Sequence, residues 1–150
     1  MDLVKEVEEK LRSGLTIEEA LKETKWKDFE SFVADIFKLH GYSTKLHVRF
    51  KTKRCYEIDI VAEGKLLTFC VDCKKWKKGR YKKSALKKAC EKHFERVNEF
   101  CKFSKKKCTP LIVTYVEEEI VEESNVLVIP LWKLNSFLLN PFKYVELEDI

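Results

Sequence analysis

Two carboxylates and a lysine stand at the ends of two consecutive apolar runs: Asp59 in YEIDIVA, then Asp72 and Lys74 in LLTFCVDCK. A carboxylate pair can hold a divalent cation, and an ammonium group beside it can steer a water molecule or neutralise an anionic oxygen. Hard oxygen donors that leave room for water suit Mg2+ or Mn2+. A cation so held lowers the pKa of a bound water and stabilises charge on a phosphoryl centre. An Asp-x-Lys triplet is also an ordinary surface ion pair, worth about 0–1 kcal/mol. Its meaning therefore depends on the elements that position it.

Side chains alternate between the faces of a strand. Over residues 66–74 this puts Leu66, Thr68, Cys70, Asp72 and Lys74 on one face, and Leu67, Phe69, Val71 and Cys73 on the other. Residues 57–62 predict the preceding strand, and Glu63-Gly64-Lys65 the turn of a hairpin that brings Asp59 near Asp72. Cys70 and Cys73 have a zinc-like spacing, but alternation sends their thiols to opposite faces, which suits core packing instead. Glu57 shares the face of Asp59, as a supporting carboxylate or as an exposed strand residue.

Upstream, Phe29, Phe32, Val33, Ile36 and Phe37 give residues 26–40 the clearest helical period, with Gly41 just past its end. Residues 42–50 predict a first strand and 51–54 a basic turn. A second long helix is expected over 84–103, with Ala85, Leu86, Ala89, Cys90, Phe94, Val97 and Cys101 along one stripe. A buried strand over 110–116, a short strand over 126–129 and a final helix over 131–139 follow. The acidic residues 117–124 read as a solvated loop or helix. The order gives an α/β domain with a mixed sheet. Ahead of it, residues 3–11 predict a short helix ended by Ser13-Gly14, and Thr16 with Glu19 caps a second one through Leu21. Residues 1–24 are thus expected to be a helical extension and 25–150 the main domain.

The bulk numbers agree with a folded protein: 45% of the 150 residues are hydrophobic and 37% charged. The N-terminus has no apolar stretch of the secretory kind and no run long enough to span a bilayer, so the cytoplasm is the expected location. Six cysteines are then expected as free thiols. The absence of glutamine and the abundance of Lys, Glu and Phe resemble hyperthermophile composition, in which intracellular disulfides do occur. The net charge is +5, but residues 74–107 alone hold 15 basic and 3 acidic residues, a local +12. That block suggests a polyanionic partner, most simply nucleic acid; the alternative is a solvated, lysine-rich face. Lys75, Lys77, Lys78, Arg80, Lys82 and Lys83 would contact phosphates, and Trp76 among them would stack on bases or pack beneath its own loop. His40, His47 and His93 stand apart from one another and read as surface or helix-end residues.

Taken in order, these residues resemble the PD-(D/E)xK nuclease superfamily, with Ile58-Asp59 in the first slot and Asp72-Cys73-Lys74 in the second. WKDFESFVADIFKLHGY resembles the first helix of Mrr-type restriction endonucleases, where Phe29-Glu30 and Gly41-Tyr42 match. The resemblance covers residues 26–139. It implies a restriction endonuclease-like αβββαβ core with a central mixed sheet flanked by helices. It further implies that Asp59, Asp72 and the Cys73 carbonyl bind the metal, that Glu30 reaches it through water, and that Lys74 is the catalytic lysine. Mg2+ (or Mn2+) would be the cofactor and DNA the partner. The implied activity is metal-dependent endonucleolytic hydrolysis of phosphodiester bonds, on duplex DNA or on branched DNA as in archaeal Holliday-junction resolvases. A homodimer would suit cutting of two strands. A non-catalytic nucleic-acid-binding module of the same fold is the alternative. Two departures stand out: Ile58 replaces the proline, and Asp72 replaces the more frequent Glu or Gln, shorter but keeping the charge.

Overall fold

The computed structural model describes residues 3–14, 29–74, 83–114 and 121–145. In chain order these form α1 (Leu3–Arg12), α2 (Phe29–Leu39), β1 (Ser43–Lys51), β2 (Cys55–Glu63), β3 (Thr68–Lys74), α3 (Lys83–Ser104), β4 (Thr109–Thr114), β5 (Val121–Glu123), β6 (Val126–Pro130) and α4 (Leu131–Leu139). A 3-10 turn, Pro141–Lys143, follows α4. The strands make one mixed sheet in the order β1-β2-β3-β4-β6-β5. β1, β2 and β3 are antiparallel neighbours, whereas β3, β4 and β6 run parallel. The expected helix over residues 16–21 lies outside the described residues, as do the first residues of the helix expected from 26.

Hydrophobic period dictates the layering. The apolar face of α2 (Phe29, Phe32, Val33, Ile36, Phe37) packs with Leu134 and Phe137 of α4 on one side of the sheet, over Phe69, Val71, Leu111 and Val113. On the other side α3 covers Cys70 with Val97 and Phe100, and covers Ile112 and Val128 with Leu86 and Cys90. β4 is therefore apolar on both faces, as a strand buried between helices must be. At the end of α2, Gly41 takes a φ of 86°. Its N–H reaches the Lys38 carbonyl, and the Tyr42 N–H reaches that of Phe37. These two hydrogen bonds satisfy the Phe37 and Lys38 carbonyls at the helix end, and Tyr42 then packs edge-on against Phe37.

The acidic segment departs from expectation. Its described part is neither loop nor helix: Val121–Glu123 pairs antiparallel with β6 as an edge strand. Ser124 and Asn125 connect the two strands with φ values of 50° and 64°. Two consecutive positive φ values make the tight turn whose twist suits a hairpin.

The β2–β3 hairpin closes at Gly64, whose N–H donates to the Leu67 carbonyl at 2.8 Å. A Cβ there would stand 2.8 Å from the Tyr42 ring and 3.0 Å from the Leu67 carbonyl oxygen. Gly64→Ala is expected to destabilise the fold by about 1–3 kcal/mol, since ring and backbone must both shift. Urea unfolding checks this, and an unchanged midpoint would contradict it.

Candidate active site

The parallel strands β3, β4 and β6 end together, with Lys74, Thr114 and Pro130 in register. Asp72 and Lys74 therefore lie at the C-terminal edge of the sheet, where the parallel strands of α/β folds leave room for a ligand. On β3 the expected alternation holds: Phe69 and Val71 face α2, with Cys73 packed beside them, while Cys70 faces α3.

On β2 it does not. Ile58 packs with Val61 and Cys70 towards α3, whereas Ile60 joins Ala62 and Phe69 towards α2. Two residues apart yet on opposite faces, they mark a break in alternation at Asp59. The neighbouring strand is distorted at the same level. Leu46 pairs with Ile60 and Val48 with Ile58, so His47, with a φ of 51°, stands opposite Asp59. A local break of this kind re-aims side chains that a regular strand would bury or splay apart. On the other side, β2 and β3 pair from Ile60 and Val71 onward, and one further step brings Asp59 to Asp72.

The two carboxyl groups thus lie side by side, and the Cys73 N–H donates to Asp59 Oδ2 at 2.9 Å. Burial, the bond to Asp72 and the charges of Asp72 and Glu30 push Asp59 up to about 7. Asp72 is only 6% exposed. Burial opposes its charge, but His93 in the acid range where its ring is protonated, together with Lys74 and Arg96, more than offsets this and holds it below the usual carboxylate range. The Lys74 Nζ lies 3.1 Å from Asp72 Oδ2, and Arg96 Nη1 lies 3.7 Å from Oδ1. The proton of the pair thus sits on Asp59. The Cys73 thiol is kept protonated by burial and by the carboxylates around it.

Arg96 is held by a second contact. His93 is fully buried, and its Nε2 lies 2.8 Å from the Cys70 carbonyl oxygen. A carbonyl only accepts, so Nε2 carries the proton and Nδ1 accepts from Arg96 Nη1 at 3.1 Å. Burial lowers His93 to about 4, so at neutral pH it is uncharged and Lys74 and Arg96 are the cations that balance Asp72. This corrects the surface reading of His93. The sign was in the sequence, because His93 falls on the buried stripe of Leu86, Cys90 and Val97.

Glu30, on the first turn of α2, reaches the same place from the opposite layer. Its Oε2 lies 3.0 Å from His47 Nε2, and ligand atoms of Glu30, His47 and Asp59 all lie within 4.8 Å of one another. His47 is thus not the isolated residue that its spacing suggests. Glu57 sits outside this group, paired with Arg49 at 3.0 Å and 3.9 Å from His47 Nδ1. His40 bonds Asn135 on α4, away from the carboxylates.

Of the expected site residues, Glu30, Asp59, Asp72, Cys73 and Lys74 are brought together. Lys75, Trp76, Lys77, Lys78, Arg80 and Lys82 lie outside the described residues, and Lys83 is described only as the first residue of α3. Beyond them, α3 exposes Lys87, Lys88 and Lys92. All six cysteines are free thiols. Among the described residues no helix is long and apolar enough to cross a membrane.

Residues 21–96 match the Mrr catalytic-domain model of a family described as restriction endonuclease. An uncharacterized protein of Archaeoglobus fulgidus is 33% identical over 122 residues, which make up 81% of this chain and 95% of that one. The crystal structure of a protein of unknown function, AF1548, superposes with a TM-score of 0.56 at 20% identity, covering 78% of this chain and 69% of that one. That last similarity is one of fold.

Proposed function

We propose, since this chain belongs to the restriction endonuclease family, that it is a metal-dependent DNA endonuclease hydrolysing phosphodiester bonds. The observation that carries this reading is the meeting of Asp59 and Asp72 across adjacent strands, with Lys74 Nζ 3.1 Å from Asp72 Oδ2. Three carboxylates crowd this corner, and Asp59 relieves the crowding by keeping a proton near neutral pH. A divalent cation would take the place of that proton, and the all-oxygen donors of Asp59 and Asp72 fit Mg2+ or Mn2+. Asp59, Asp72 and the Cys73 carbonyl would hold it directly, and Glu30 through water. The bound ion supplies Lewis acidity, which acidifies a water and balances charge on the phosphate.

The chain's own groups set the rest. The Cys73 N–H fixes the Asp59 carboxyl. Arg96 takes one edge of Asp72 and leaves the other to Lys74, whose ammonium is then placed to orient the attacking water or to neutralise the pentavalent oxyanion. The basic segment that begins at Lys74 supplies the phosphate contacts, with Lys75, Lys77, Lys78, Arg80, Lys82 and Lys83 as its cations and Trp76 as a stacking surface. Residues 1–24 serve as an extension outside the catalytic domain. Two copies about a two-fold axis would present one site to each strand.

Plasmid DNA and a four-way junction incubated with Mg2+ or Mn2+ test the proposal. Wild type should cut in a chelator-sensitive way, and Asp72→Ala should not. Equal cutting by the two would reject the site. Salt-sensitive DNA binding without metal binding or cleavage would favour the non-catalytic module instead.

A further inference from the structure

The residues assigned above leave His47 without a role, although it faces both Asp59 and Glu30. We infer that His47 is a nitrogen ligand of the cation that Asp59 holds, and that this ligand tilts the centre towards Mn2+ over Mg2+. The inference rests on the metal of the nuclease reading but not on cleavage itself.

Four observations carry it. Ligand atoms of Glu30, His47 and Asp59 lie within 4.8 Å of one another, the span of one coordination sphere. His47 Nε2 and Glu30 Oε2 are 3.0 Å apart. The imidazole nitrogen is therefore within reach of an ion held by Asp59, with Glu30 beside it to bond a water of the same ion. The imidazole is there because β1 departs from regular strand geometry at His47, opposite the break at Asp59. Finally, Glu57 lies 3.9 Å from Nδ1, and Arg49 holds Glu57 at 3.0 Å. That distance is too long for a hydrogen bond, but once a cation takes the place of the proton between Nε2 and Glu30, the Glu57 charge would favour the remaining ring proton on Nδ1. A carboxylate behind a histidine commonly orients it towards a metal in this way.

The chemical consequence follows from donor type. Mg2+ takes oxygen ligands and parts with water reluctantly, whereas Mn2+, also at home among oxygen ligands, is the softer ion and holds an imidazole nitrogen more readily than Mg2+ does. A nitrogen in the shell therefore favours Mn2+.

The test uses the full chain without added histidines, loaded with Mn2+ and read by electron spin-echo envelope modulation. A nitrogen-14 coupling is expected in wild type and in the control His40→Gln, and is expected to vanish in His47→Gln. Calorimetry should show the ratio of Mn2+ to Mg2+ affinity falling about ten-fold in His47→Gln. A wild-type signal without nitrogen coupling, coupling that survives in His47→Gln, or no Mn2+ binding would each overturn the inference and reduce His47 to an ion-pair partner of Glu30. Nitrogen coupling in a protein that cuts no DNA would keep the ligand and reject the nuclease reading.

Discussion

Lys74→Met is expected to lower metal-dependent DNA cleavage by ~10^3-fold or more while leaving the fold and the binding of Mn2+ intact. Methionine keeps most of the lysine stem, and Asp72 keeps Arg96 as a partner at 3.7 Å. Removing a cation 3.1 Å from Asp72 also removes a competitor for that carboxylate, so Mn2+ should bind at least as tightly as in wild type. Asp72→Asn should behave differently. It removes the negative charge that both Lys74 and Arg96 face in a nearly buried position, so it loses cation binding as well as activity. Uncompensated charge of this kind costs on the order of 3 kcal/mol. Single-turnover cleavage, Mn2+ calorimetry and thermal melting on the two variants separate the roles. Lys74→Met cutting at the wild-type rate would remove Lys74 from the chemistry. Equal melting losses in both variants would show that the pair is mainly structural.

What the sequence made legible was local. The i, i+3, i+4 period of Phe29, Phe32, Val33, Ile36 and Phe37 and the glycine that ends the helix gave α2, because each signal lies within a few residues. β3 was legible because its alternation is regular up to Lys74, and the hairpin placed Asp59 beside Asp72. Long-range facts were not legible. β5 has three residues, two of them glutamates, and exists through its pairing with β6. The break at Asp59 and His47 was hidden because Ile58 and Ile60, like Leu46 and Val48, read as an unbroken alternation. Only the packing shows β2 changing face there, and only the backbone angle of His47 marks the distortion of β1. Arg96 looked like one more cation of a basic helix, and its role depends on His93, whose bond to the Cys70 carbonyl no spacing reveals.

The pH dependence of stability without metal reflects one partly buried and one fully buried group that pull in opposite directions. Asp59 is raised from 3.8 to about 7, so the folded state holds its proton more tightly. Its contribution is fully present below the unfolded value and is lost as pH rises through about 7. His93 is lowered from 6.5 to about 4, so its contribution is present above the unfolded value and is lost as pH falls through about 4. The buried histidine accounts for about 3 kcal/mol, and the partly buried aspartate for on the order of 2 kcal/mol once solvent screening is allowed for. Between these limits the two slopes offset each other in wild type. Asp59→Asn should leave a protein that loses stability on acidification more steeply than wild type. His93→Gln keeps a donor for Cys70 and an acceptor for Arg96, and should lose stability on acidification less steeply than wild type. Carboxylates remote from this cluster titrate alike in all three proteins, so they cancel in the differences, and Asp72, held below the usual carboxylate range, stays charged over the pH window between the two groups. Urea unfolding in chelator at several pH values reads the two deviations. Deviations of the same sign would mean that either the proton on Asp59 or the neutral state of His93 is misassigned. With a cation bound, Asp59 gives up its proton, so the Asp59 slope should disappear from wild type and only the His93 slope should remain.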